Sequence, residues 1–166
     1  MRLKELEEKY EKLLEELEMQ IKELKQNGIE ENCKRWRADY DNNYFWIGSA
    51  CDITCETDDE HSFDDARYVI GNYFRTKEEA EKMVEKIKIY TQLKDLALRL
   101  NNGEKIDWEN ADQAKYYIYY NCEKMKLSYS QDWLCKKIGQ IYCLDINFLY
   151  IAEQEIGEEN LKKLFE

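Results

Sequence analysis

Proline is absent from all 166 residues, where average usage of roughly 5% predicts about eight. Lys, Glu, Asn, Ile and Tyr are abundant instead, a bias that fits a low-GC coding sequence and reports the genome, not the activity. Glycine is scarce, with six residues that each stand alone, so the chain holds neither a GxGxxG fingerprint nor a Walker loop. The single histidine, His61, excludes His-pair metal centres and makes any Ser-His-Asp or Cys-His triad depend on that one side chain. No run approaches the roughly eighteen apolar residues that cross a bilayer. Residues 1–28 are charged throughout and lack the apolar segment of a signal peptide. A soluble, intracellular protein with no membrane contact is expected.

Positive charge is also short. Lys and Arg number 25 against 36 Asp and Glu, leaving a net charge of −11, and basic residues cluster only at Cys33-Lys34-Arg35-Trp36-Arg37. Nucleic-acid binders gain affinity by releasing counterions from phosphates onto Lys and Arg, so direct DNA or RNA binding is not expected. Net acidity serves solubility in the first instance, and attraction to a basic partner in the second. Close cysteine pairs with zinc-site spacing are missing as well. The nearest pair is Cys51-x3-Cys55, with Cys33, Cys122, Cys135 and Cys143 scattered. In an intracellular protein these read as reduced, small buried hydrophobes, with no metal or other cofactor implied.

What the chain does contain is enough apolar and aromatic material, 43% and 13%, to order a globular body without disulfides. Residues 1–28 read as a helix in which Leu3, Leu6, Tyr10, Leu13, Leu17 and Leu24 recur at spacings of three and four, interrupted by Gln20 and widened by Leu14 and Ile21. The pattern suits a short coiled coil that makes a homodimer and equally an amphipathic helix docked on its own body.

The remainder reads as α+β: two β-β-β-α units, at 33–103 and 104–166, whose antiparallel sheet is covered by helices. In the first, "YFWIGSACDITCE" predicts two strands around Gly48-Ser49, and "RYVIGNYFR" a third. A long helix over 77–101 follows, started by Thr76 with Glu79 in a capping box. Its apolar positions are Ala80, Met83, Val84, Ile87, Tyr90, Leu93, Ala97 and Leu100. In the second, "KYYIYYN" and "KLSYSQ" predict a hairpin, "IGQIYCL" a strand, and Asp145 onward a helix, with Gly157 as a break before "EENLKKLFE". Gly71 and Gly139 stand in the predicted third strands, where a bulge or close packing is expected.

Two acidic segments stand out. "ETDDEHSFDD", residues 56–65, carries Glu56, Asp58, Asp59, Glu60, Asp64 and Asp65 and no basic side chain. It lacks the mid-loop glycine and alternating oxygen ligands of an EF-hand and reads as an acidic surface loop. The second holds Glu104, Asp107, Glu109 and Asp112 around Trp108. Carboxylates interleaved with an aromatic suit a protein-recognition surface, although Trp108 at the edge of the core explains the same pattern. No constellation of side chains forms a catalytic site, and no enzymatic activity is expected.

The strings "RYVIGNYFRTKEEAEKMVEKIK", "LNNGEKIDWENADQAKYYIYYN", "IGQIYC" and "EIGEENLKKLF" resemble a family of small proteins carried by phages and prophages of low-GC Gram-positive bacteria. The resemblance spans residues 36–166. Gly71, Asn72, Phe74, Thr76, Glu78, Glu79, Ala80 and Glu81 match its GNxFxTxEEAE motif, and they read as turn, cap and helix face. The chain departs from the pattern at Cys143 and in the apolar "INFLYIAEQ". The resemblance implies a protein acting in the cytoplasm of an infected bacterial host. Joined to the acidity, it leads to the expectation of an anti-CRISPR-like inhibitor. Its partner would be a host nucleic-acid-binding or nuclease effector with a basic surface. An assembly adaptor oligomerising through residues 1–28 is the alternative.

Overall fold

The computed structural model describes residues 10, 14, 16–20 and 35–166. The chain divides into two compact units, residues 1–39 and 40–166. In the first, residues 10, 14 and 16–20 are helical, as the leucine spacing predicts. Tyr10 and Leu17 are more than half exposed, as is Leu14. Leu3, Leu6, Leu13 and Leu24 lie outside the described residues.

The second unit is mixed helix and strand. Strand β1 (Asn43–Ile47) pairs antiparallel with β2 (Ile53–Thr57), Phe45 opposite Cys55. Helices α1 (Ser62–Ile70) and α2 (Lys77–Leu100) follow. Strand β3 (Lys115–Asn121) pairs with β4 (Lys126–Asp132), Ile118 opposite Tyr129. Helix α3 (Phe148–Glu155), α4 (Glu158–Lys162) and a 3₁₀ turn at Lys163–Phe165 close the chain. Both hairpins and the long helix form where local patterning predicts them. Thr76 caps α2, accepting from Glu79 N at 3.2 Å while Glu79 Oε2 accepts from the Thr76 and Arg75 N–H groups.

The predicted third strands do not form. Residues 62–70 are helical, and the "IGQIYCL" segment is irregular. Each hairpin keeps a one-residue antiparallel bridge in their place, Phe45 with Phe74 and Tyr116 with Cys143, closed by reciprocal N–H to carbonyl bonds. The two sheets are therefore two-stranded and separate. Gly71 is not a strand bulge. It ends α1 in the left-handed region, φ 82°, returning its N–H to Arg67 and Tyr68 carbonyls, a conformation that glycine adopts without strain. Gly139 likewise has φ 74°, in a turn.

Several residues of the GNxFxTxEEAE motif have structural duties. Asn72 closes the end of β1, its Oδ1 accepting from Ile47 N at 2.7 Å and its Nδ2 donating to Ile47 O at 2.9 Å. Ala80 is fully buried. The buried stripe of α2 then runs through Val84, Ile89, Leu93, Leu96 and Ala97, whereas Met83, Ile87 and Tyr90, predicted to face inward, are exposed. Helix α2 packs against both strands of the first hairpin and against α3, which in turn packs on β3. Its C-terminal half builds an apolar core with Ile118, Leu127, Phe148, Ala152 and Leu161.

The thiols also depart from expectation. Cys143 is buried, and burial pushes its thiol pKa up. Cys51, Cys55, Cys122 and Cys135 are exposed, because Cys51, with φ 61°, and Cys122 fall in the turns of the two hairpins, Cys55 lies on an open face of β2, and Cys135 lies in the irregular segment after β4.

Candidate functional site

The acidic stretch 56–65 is a tight connection into α1, and its carboxylates divide by direction. Asp58 and Asp64 are 1% and 3% exposed, which corrects the expectation of a uniformly solvent-facing loop. Asp64 sits at the third position of α1. Its Oδ2 accepts from His61 N at 3.1 Å, and the His61 ring Nδ1 accepts from Phe63 N at 3.4 Å, so the pair caps the helix. Asp64 Oδ1 accepts from the Tyr44 hydroxyl at 2.6 Å. Asp58 Oδ2 accepts from the Tyr73 hydroxyl at 2.7 Å, and its Oδ1 accepts from Glu60 N at 2.9 Å. Tyr44 and Tyr73 themselves stack, ring centres 3.9 Å apart and nearly parallel.

Arg67 completes this centre. Its Nη1 donates to the Tyr44 hydroxyl and pairs with the Glu56 carboxylate, while the guanidinium lies 3.9 Å from the Trp46 ring centre. Burial opposes ionisation of Asp64, but the hydrogen bonds from Tyr44, Asp59 and His61 outweigh it and hold the carboxyl below its ordinary range. Burial, with the bond to Asp64, pushes the Tyr44 phenol well above its usual value. The buried pairs are thus phenol to carboxylate, and the Arg67 cation beside them is shared between Glu56 and, at 3.6 Å, Asp64.

The remaining carboxylates face outward. Asp59, Glu60 and Asp65 are exposed, although Asp59 Oδ1 also accepts from His61 N. They share the segment with side chains that composition gave no reason to single out: Phe63, Val69 and Ile70 are 67%, 78% and 75% exposed. Their sequence signal was the helix start His61-Ser-Phe-Asp64, which turns the following apolar residues onto a helix surface.

The second acidic set is held differently. Gln113 ties the segment together, its Oε1 accepting from Asp107 N at 2.8 Å and its Nε2 donating to Glu104 Oε1 at 2.9 Å. Asp107 Oδ1 accepts from Glu109 N. Glu104, Asp107, Glu109 and Asp112 are exposed. Trp108 is half-buried and edge-on to Tyr142 at 4.8 Å, so it contributes to the packing of this segment. No hydrogen bond, ion pair or ring contact among the described residues joins the two acidic segments.

No known protein family, curated protein or solved structure matches this chain. Among the described residues no group of three or more His, Cys, Asp or Glu side chains converges to hold a metal ion. None of the helices among them is long and apolar enough to cross a membrane.

Proposed function

We propose that this chain is a phage-encoded, non-enzymatic binding protein that inhibits a host defence effector by occupying a basic nucleic-acid groove. The observation that carries the reading is the two-sided segment 56–70. Buried Asp58 and Asp64 fix its backbone, and outside it presents Asp59, Glu60, Phe63, Val69 and Ile70. Charge draws in a basic surface, and fixed apolar side chains supply the contacts that sequester area from water. A pre-ordered surface also avoids the ordering cost that weakens flexible loops on binding. The net charge of −11 and the phage-like motif string favour the same reading.

The test is a plaquing assay in cells that carry one defence system each, challenged with a sensitive phage. The wild-type chain is expected to restore plaquing against at least one system. The triple change D59N/E60Q/F63A, all at exposed positions, is expected to abolish that relief while the circular dichroism stays unchanged. Full relief by the triple variant would sink the reading, as would failure of the wild type against every system. Competition of the captured effector with nucleic acid separates groove occupation from locking at another site.

A second reading, an assembly adaptor, is favoured by one observation: Tyr10, Leu14 and Leu17 lie on one helical spacing and are all exposed in the single chain. Light scattering of the full chain against one beginning at Asn32 tests it, and an unchanged subunit count would remove it.

A further inference from the structure

A cleft of about 250 Å³ opens between the C-terminal half of α2 and the segments 104–110 and 133–142. Tyr90, Ile106, Trp108 and Tyr142 give it an apolar, aromatic lining, and Lys94 and Lys136 are the charged side chains on its wall. No carboxylate lines it. That contrasts with three other clefts of the same unit. The cleft beside Phe74 and Met83, the one beside Leu96 and Arg99, and the one beside Cys51 and Ile53 each carry at least two carboxylates. In a chain with 36 acidic residues, one all-cationic aromatic cleft is a local reversal of sign.

The cleft is also fixed in place. Lys115 is fully buried, and its Nζ donates to the Asn110 carbonyl at 2.9 Å and the Trp133 carbonyl at 2.6 Å. One ammonium group therefore clips together the two segments that carry Trp108 and Lys136, and it lies 5.4 Å from the Trp108 ring centre. Behind the wall, Tyr142 is held by its hydroxyl, which accepts from Lys137 N at 2.9 Å. The nearby acids point elsewhere: Glu104 accepts from Gln113, and Asp107 from Glu109 N. Lys94 and Lys136 have no ion-pair or hydrogen-bond partner among the described residues.

We propose that this cleft binds a small aromatic anion, a single ring system bearing a carboxylate or a phosphate. The volume lies just under the ~300–1,000 Å³ of drug-sized sites, which matches one ring system. Aromatic walls take the ring out of water, and the two ammonium groups neutralise the acid. The distant carboxylates of the chain do not forbid an anion here, because at physiological ionic strength charges more than about 8 Å away are largely screened.

Isothermal titration of the full chain with indole-3-acetate and with adenosine 5′-monophosphate tests the proposal, indole and adenosine serving as uncharged controls. At least one anion is expected to bind saturably and more tightly than its uncharged parent, and whichever binds assigns carboxylate or phosphate as the anchored group. The double change K94A/K136A touches only exposed side chains and is expected to weaken binding roughly tenfold, the worth of two screened contacts of about 1 kcal/mol or less each. Three results would each overturn the proposal: no saturation by either anion at millimolar concentration, equal affinity for anion and parent, or unchanged affinity in K94A/K136A. The titration does not depend on any defence effector, so its outcome stands apart from the plaquing assay.

Discussion

The two ends of α2 lie on centres of opposite chemistry. Toward its C-terminus the helix joins an apolar core in which Phe148 is 1% exposed and Ala152 and Leu161 are fully buried. The first hairpin, with α1, is instead organised by stacked Tyr44 and Tyr73, each hydroxyl donating to a buried aspartate. An apolar core stabilises through area removed from water and is indifferent to pH. A buried polar centre contributes little net energy per bond but is costly when one partner is lost, since the remaining donors stay buried without acceptors. Stability resides in the first kind of centre, and conformational definition of the acidic segment in the second.

Phe148→Ala should give the largest effect, about 3–5 kcal/mol, because it opens a cavity in the apolar core. Urea unfolding measures it, and the loss should be the same at every pH between 4 and 8 if the core is as uncharged as its side chains. A loss under about 1 kcal/mol would mean that this core is not the main source of stability.

Asp64→Asn comes next, at about 1–3 kcal/mol near neutrality, since the amide places a donor where His61 N–H or the Tyr44 hydroxyl needs an acceptor. Its pH signature separates the two centres. The folded carboxyl titrates below its unfolded value of about 3.9, so its contribution is complete above that pH and is lost as pH falls through the lower folded value. Wild-type stability should therefore drop in acid with a steeper limb than D64N, while F148A lowers the curve without changing its slope. Parallel acid limbs in wild type and D64N would erase the distinction between the two centres.

The smallest effect is expected at the surface, where Arg99 on α2 meets Glu155 on α3 with both side chains about half exposed. Glu155→Gln should cost less than about 1 kcal/mol, and the cost should shrink further in high salt. A double-mutant cycle with Arg99→Gln reads the coupling. A larger, salt-insensitive value would mean that the α2–α3 contact relies on charge as well as on apolar packing.

Legibility in the sequence tracked the range of the forces involved. Both hairpins and the Thr76–Glu79 box depend on neighbours a few residues apart, and they form where expected. Helix α1 was misread because Tyr68, Val69 and Ile70 favour strands, while its cap is His61 with Asp64 instead of the Ser/Thr and Glu of the usual box. The inward turn of Asp58 and Asp64 could not be read locally, for their tyrosine partners lie 15 and 20 residues away. For the same reason the sign reversal at Lys94 and Lys136 is invisible in composition. It arises only when α2 and the 133–142 segment meet.

The alternation of inward and outward carboxylates along 56–65 also sets what this segment can become. Phe63 can be exchanged for other side chains with the scaffold unaffected, because the backbone is held by Asp58, Asp64 and two phenols, whereas Glu60, at φ 60°, sits in a conformation that few residues other than Gly, Asn and Asp adopt readily. Changing an outward side chain leaves these bonds in place, whereas changing an inward carboxylate breaks them. Substitution along the segment should therefore cost least at exposed Phe63 and most at Asp58, Asp64 and the His61 cap.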